Sequence, residues 1–383
     1  MKIIINTSNL SVGGGLQVAL SFIDELRKLD KRHEYHIFTS LAIDMQLERS
    51  IFKDNFSFYS FDESPASLKK RVKVVRKLNM LESKIKPNIV FTVFGPSYWK
   101  PKGKHLMGFA DGWLYNPNSV AYLKLTFLKR LRMRLLERYK SFYLKRDAKY
   151  FVLETEDARF KFSETLKINK NQVYVVGNTY STFFNKNKYQ EKGNEFYLKL
   201  PNKEENEFRF LYIAHNHPAK NLAIINDIYP LLEGLNIKFV LTIDEESYQK
   251  LFFNKSYIIN LGPIKQASCP SVYKQCDALF APTLLETFSA VYPESMKMEL
   301  PILTSNYSFA TDICQNAALY FDPLNPKDIA GKIIEIKRNE NLRVKLINNG
   351  KNQIKIFETA NSRALKYIQL CETIIQGDNN VQK

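Results

Sequence analysis

ALFAPTLLETFSAVYPESMKMELPILTS, residues 278–305, has a short apolar run at each end, ALFAP and PILTS, and a mixed polar and apolar stretch between them. Each run has the length of a buried strand, and the middle has room for a loop and one short helix. Pro293 suits a first helical turn, and Pro301 ends the helix. Strand, helix, strand in that order is a βαβ unit, in which the two strands run parallel and the helix covers them. Two carboxylates stand eight residues apart inside it. Glu286 lies in the loop leaving the carboxyl end of the first strand, and Glu294 at the start of the helix.

The same alternation extends in both directions. Upstream lie FRFLYIA (208–214), IKFVLTI (237–243) and YIINLG (257–262), each a strand signal followed by helical or polar text. Further back an earlier series runs through KIII (2–5), YHIFTS (35–40), NIVFTVF (88–94), HLMGFA (105–110), YFVLE (150–154) and VYVVGN (173–178), with an amphipathic helix, LQVALSFIDELRKL, at 16–29. The polar stretch NKNKYQEKGNE separates the two series. Strands alternating with helices predict parallel sheets covered on both faces. The expected fold is therefore α/β, with two doubly wound Rossmann-like domains facing across a cleft and the ligand at the carboxyl ends of the strands. The expected boundaries are an N-terminal domain over 1–180, a linker over 181–207, a second domain over 208–355, and a C-terminal helix over 356–383 returning to the first domain.

Composition narrows the function classes. At 383 residues, 45% hydrophobic and 25% charged, the chain can bury two cores. Its four cysteines, Cys269, Cys276, Cys314 and Cys371, form no CxxC pair and read as reduced, buried thiols of a cytoplasmic protein. The N-terminus MKIIINTSNL is too short in apolar residues for a signal peptide, and no run is long enough to span a bilayer. The net charge of +17 is concentrated between Lys69 and Lys149, where 21 Lys and Arg face four acids, Glu82, Asp111, Glu137 and Asp147. Such a field attracts a polyanion. Over 121–146, Leu128, Leu131, Leu135, Tyr139 and Phe142 recur at helical spacing while Lys129, Arg130, Arg134, Arg138 and Lys140 fall largely elsewhere on the wheel, the pattern of an interfacial helix. Docking on an anionic membrane surface and a core-packed helix with a solvated basic face both fit it. Nucleic acid is not expected, because no aromatic-basic RNA motif accompanies the charge.

Gly13, Gly14 and Gly15 follow the first strand and open its helix, so that a phosphate or sugar could approach bare backbone there; a tight turn explains them equally. The run is neither GxGxxG nor GxxxxGK[ST], and HEYH (33–36) lacks the zinc spacing HExxH. For Glu286 and Glu294 the plain readings are a solvated loop residue and a helix cap. The alternative is ligand binding: a diphosphate at the helix start, with each carboxylate accepting from the hydroxyls of a sugar.

The surrounding text favours the second reading. SVYKQCDALFAPTLLETFSAVYPESMKMELPILTSNYSFATDICQNAALYFDPLNPKDIA (271–330) resembles the donor-binding region of retaining GT-B glycosyltransferases of the large family four (glycosyl transferases group 1) type. The pattern is a tyrosine and an Asp before the strand, Pro-Thr, Glu-x7-Glu, Pro-Ile with Ser, and a Tyr-x-Asp-Pro segment. FLYIAHNHPAKNL (210–222) is similar to the family's strand, phosphate loop and Lys-Asn, and YVVGNTYSTFF (174–184) to its domain-junction segment. The resemblance implies that Glu294 binds the ribose of a nucleotide, Glu286 a hydroxyl of the transferred sugar, and Lys220 the departing diphosphate. Backbone amides at Phe288, Ser289 and Ala290 complete the cradle, with Asn216, Gly14 and Gly15 also on the donor. No metal or other cofactor is expected. The family's histidine in the N-terminal crevice has no clear counterpart, and Asp111 of FADGW (109–113) is the candidate for its place.

This chain departs from the pattern at several points. Ala214, His215 and Asn216 stand where relatives often carry Gly-Arg, Thr287 and Ser289 replace glycines, and Met298-Glu299-Leu300-Pro301 lacks the usual glycine. The resulting expectation is a retaining hexosyltransferase that moves a sugar from a nucleotide-diphosphate donor to a glycan or lipid-linked glycan acceptor. It would work in bacterial surface polysaccharide biosynthesis, in the cytoplasm and peripheral at the inner face of the cell membrane. A nucleotide-sugar 2-epimerase of the same fold and a non-catalytic glycan- or nucleotide-binding subunit are the alternatives.

Overall fold

The computed structural model describes residues 1–11, 13–29, 32–185, 195–253 and 255–379. The core of the polar break, 186–194, and Val12 at the start of the Gly-rich loop lie outside the described residues. The chain divides into two units. The first takes 1–117, 129–178 and the chain from 358 onward; the second takes 118–128 and 179–357.

The first unit is built on seven parallel strands, β1 (Lys2–Thr7), β2 (Glu34–Ser40), β3 (Phe56–Phe61), β4 (Ile89–Thr92), β5 (Lys104–Gly108), β6 (Tyr150–Leu153) and β7 (Val173–Val175), in the order β3-β2-β1-β4-β5-β6-β7. The second has six, β8 (Phe208–Tyr212), β9 (Ile237–Leu241), β10 (Ile258–Asn260), β11 (Ala278–Ala281), β12 (Ile302–Ser305) and β13 (Ala318–Phe321), in the order β10-β9-β8-β11-β12-β13. Every pairing in both sheets is parallel. In the central strands both faces are covered, so Ile3, Ile4 and Ile5 in the first unit and Phe210 and Leu211 in the second are fully buried. That explains their continuous rather than alternating apolar text.

The periodicity did not single out β3 and β13, which are edge strands. FSFYSF is half-buried along most of its length and carries serine between its aromatics, while ALYF is only four residues long. An edge strand is covered on fewer sides and needs less apolar text. The helix expected at 16–29 runs over Gly14–Leu26, so it begins on the glycines themselves.

Two expectations about organisation need correction. The basic stretch 121–146 is not one helix: a short 3₁₀ turn covers Val120–Lys124, and the helix proper is Phe127–Asp147. Residues 118–128 belong to the second unit. The stretch 181–207, expected as a linker, is tied to the second unit where it is described. Leu198 and Leu200 donate backbone N–H bonds to Ser271 Oγ (3.0 Å) and Gln275 Oε1 (2.9 Å), and Gln275 Nε2 returns one to Leu198 O (2.8 Å).

Within the first unit the C-terminal helix, Ala360–Asn379, packs on the Gly14–Leu26 helix, where Tyr367 meets Phe22 edge to face at 5.3 Å. Arg363, buried, donates to Asn178 Oδ1 and to Ser21 Oγ. Gly108, at the end of β5, lies so close to the β4 exit that a Cβ there would stand 1.9 Å from the Val93 carbonyl oxygen.

Candidate functional site

In a doubly wound sheet the connections leave in opposite directions from one point, and the crevice for a ligand opens there, outside the carboxyl ends of the strands. In the second unit the chain proceeds from β8 to β9 and β10 on one side and from β11 to β12 and β13 on the other, so this point lies between the neighbours β8 and β11. The loops leaving these two strands carry Lys220 and Glu286.

Both loops are fixed by hydrogen bonds. His217 caps the Pro218–Lys220 turn, its Nδ1 accepting from the Ala219 N–H at 3.2 Å. Thr283 Oγ1 (3.0 Å) and the Leu284 N–H (2.6 Å) both donate to the Ala219 carbonyl, which ties the β11 exit to the β8 exit. Asn221 follows in the left-handed conformation at φ 54° and donates from Nδ2 to Pro323 O at 3.0 Å. The outcome is an ion pair: Lys220 Nζ meets Glu286 Oε1, and Ser289 Oγ donates to the same oxygen at 3.4 Å. Lys220 Nζ also lies 5.9 Å from the centre of the Tyr212 ring. Burial works against the Lys220 ammonium, but the Glu286 carboxylate and the Tyr212 hydroxyl outweigh it and hold the lysine above its ordinary pKa. Lys220 therefore carries its charge at neutral pH.

Glu286 is not a solvated loop residue; its side chain is only 16% exposed. Glu294 is not a cap either. The helix is Val291–Lys297, Ala290 precedes it, and no side chain caps it. The Glu294 carboxylate turns inward instead and accepts from the Tyr273 hydroxyl at 3.1 Å. Burial pushes Glu294 up to about 8, against a smaller opposing pull from Tyr273. Among the described residues, the backbone N–H groups of Phe288, Ser289 and Ala290 donate to no protein group. Phe288 leans on Phe357, ring centres 6.1 Å apart. Asn216 is exposed on the β8 loop and donates to Ser247 Oγ at 3.1 Å, away from the Lys220–Glu286 pair.

The remaining candidates are in the first unit. Gly13 adopts φ 81° and leads into the Gly14–Leu26 helix, whose start carries no side-chain cap. A Cβ on Gly14 would meet nothing within 4 Å, whereas one on Gly15 would press on Phe94 at 3.3 Å. Asp111, just past β5, caps the Gly112–Tyr115 turn through the Trp113 N–H (3.1 Å) and pairs with Lys140 Nζ at 2.5 Å. Lys140 also holds Glu137 at 2.9 Å. Burial first, and then the Asp111 carboxylate, push Glu137 up to about 7.

Tyr212, Tyr273 and Glu137 were assigned no role by the sequence reading, and Lys140 was read only as one of the cations on the basic face of its helix. Tyr273 stood in the quoted motif; the others meet partners that the text does not place beside them, Tyr212 meeting Lys220 and Glu286, 8 and 74 positions away, and Lys140 and Glu137 meeting Asp111, 29 and 26 positions away. Among the described residues no group of three or more His, Cys, Asp or Glu could hold a metal ion, and no helix is long and apolar enough to cross a membrane.

Comparison with known proteins adds independent information. Residues 194–353 match the family described as Glycosyl transferases group 1. The chain is 23% identical over 253 residues to the capsular polysaccharide biosynthesis glycosyltransferase CapM of Staphylococcus aureus, an alignment covering 61% of this chain and 66%, just under two thirds, of that protein. In fold it is similar to a glycosyltransferase from Rickettsia africae, with a TM-score of 0.70 and 14% identity over 98% of each chain. It is also similar to Alr3699/HepE of Anabaena, solved with UDP and glucose, with a TM-score of 0.67 and 12% identity over 97% of this chain and 100% of that one. At such identities the structural likeness is one of fold: two parallel α/β sheets of the GT-B type.

Proposed function

We propose, on the premise that this chain belongs through residues 194–353 to the glycosyl transferases group 1 family, that it transfers a sugar from a nucleotide-diphosphate donor to an acceptor hydroxyl with retention. The observation that carries this reading is the Lys220–Glu286 pair at the switch point between β8 and β11. A charged lysine there is suited to the negative charge that builds on a departing diphosphate, the contribution by which preorganised charges lower a barrier most. Glu286 supplies an acceptor for hydroxyls of the transferred sugar, and the unpaired amides of Phe288, Ser289 and Ala290 supply donors for phosphate oxygens. Glu294 receives the ribose. The acceptor hydroxyl attacks the anomeric carbon on the face the diphosphate leaves, and its proton passes to the leaving phosphate oxygen. Lys220 does the neutralising, so no metal is invoked.

The likeness to a capsular polysaccharide glycosyltransferase supports a surface polysaccharide as the setting, and a fold neighbour solved with UDP and glucose supports a uridine donor. A lipid-linked acceptor is supported by the Phe127–Asp147 helix. Leu128, Leu131, Leu135 and Phe142 are exposed on it together with Lys129, Arg134 and Arg138, so the core-packed alternative fails for these side chains. An apolar row rimmed by cations is the surface that docks on anionic lipid. The deciding experiment incubates the protein with a panel of nucleotide-diphosphate sugars and follows nucleotide release with and without an acceptor glycan. Acceptor-dependent release supports the transferase. Isomerised sugar without release, or binding with neither, would overturn it.

A further inference from the structure

Tyr273 ends the Cys269–Tyr273 helix and is 1% exposed, while Glu294, on the helix Val291–Lys297, is 7% exposed. No cation answers the buried carboxylate among the described residues. On its own helix Lys297 sits over the Tyr180 ring at 5.5 Å. From the neighbouring helix Glu340–Gln353, Lys351 goes to Glu299 at 2.9 Å, and Lys355 in the turn beyond it goes to Asn352 at 3.1 Å. The titratable groups that do face Glu294 are Tyr273 and Cys269, both from the Cys269–Tyr273 helix, and both are held above their ordinary values first by burial and then by that carboxylate. Each is therefore neutral at physiological pH. The single hydrogen bond to the carboxylate comes from Tyr273 to Oε2, and no described group donates to Oε1.

We propose that Tyr273 is the positioning residue of the nucleotide site: its hydroxyl holds one oxygen of Glu294 and leaves the other for the ribose hydroxyls of the donor. The inference rests on the reading of Glu294 as the ribose ligand. Its chemical logic is that two hydroxyls donating to one carboxylate need it ionised and fixed in rotation. Burial alone favours the protonated form. A phenol donating to the charged form works against burial and fixes the rotamer at once. Phenylalanine at 273 keeps the packing and removes only this donor.

The test is calorimetric titration of UDP into the unmodified protein, Tyr273→Phe and Glu294→Gln at a series of pH values from 7 to 9.5, above the range in which the phosphate titrates. The unmodified protein is expected to bind more tightly as pH rises through about 8, where Glu294 ionises. Glu294→Gln should lose that dependence. Tyr273→Phe should move the rise to higher pH and bind roughly fivefold to tenfold more weakly at pH 7.5, with its thermal midpoint nearly unchanged. Weakening equal at every pH, or an unshifted profile, would overturn the positioning role while leaving the ribose reading in place. A pH-independent unmodified protein, or one that does not bind UDP, would overturn the ribose reading and the proposal with it.

Discussion

Lys220 and Glu286 are partners across neighbouring strand exits, Nζ to Oε1. The pair keeps the ammonium charged in a half-buried position. If Lys220 serves the departing diphosphate, Lys220→Ala should lower kcat by about a hundredfold or more while the KM for donor changes little. A change confined to KM would make it an anchor only.

Glu294 links binding to stability. Glu294→Ala should weaken nucleotide binding by about 1–3 kcal/mol, the range for a lost charged hydrogen bond. Its carboxyl is raised to about 8 from an ordinary 4.5, so between those values the native state holds a proton that the unfolded chain has released. Stability must therefore fall with rising pH across that window and level off above it. Glu294→Gln removes the loss. Its advantage in denaturant melts should be nearly absent near pH 4.5, grow towards pH 8, and reach on the order of 5 kcal/mol. An advantage of the same size at pH 4.5 and pH 9 would show that the carboxyl is not raised.

The Phe127–Asp147 helix makes a separable prediction. Replacing Lys129, Arg130, Arg134 and Arg138 with glutamine should abolish sedimentation with anionic vesicles, because each cation near such a surface contributes about 1 kcal/mol. Turnover of a short soluble acceptor should persist. Absence of vesicle binding by the unmodified protein at low salt would remove the membrane from the reading and leave the transfer chemistry untouched.

Gly108 tests the first sheet. Its missing Cβ accommodates the Val93 carbonyl oxygen, so Gly108→Ala forces backbone apart and should cost about 3 kcal/mol, read as a lowered denaturation midpoint. An unchanged midpoint would mean that β4 and β5 separate freely at that end.

Glu299 is the opposite case. It adopts φ 58°, a left-handed conformation that favours glycine, and its ion pair with Lys351 is exposed and contributes little. Glu299→Gly relieves the left-handed strain, offset in part by the freedom glycine has when unfolded. The midpoint should stay level or rise slightly. A clear fall would show that the ion pair outweighs the strain.

The sequence by itself determined the class of the fold, because a buried parallel strand must be apolar on both faces and eleven such runs are visible in the text; β3 and β13 escaped because edge strands are under no such demand. It also determined which side chains to examine, since Lys220, Glu286 and Glu294 stand in a recognisable pattern. Their state was decided only by the tertiary structure. Whether Glu286 is solvated or paired depends on a lysine 66 positions away, carried to it by the adjacency of β8 and β11. Whether Glu294 caps its helix or turns inward depends on a tyrosine in another helix, and its proton depends on the solvent excluded around it. Local text encodes backbone propensity and burial. Partnership and the charge it stabilises arise where distant segments meet, and there the tertiary fold decides.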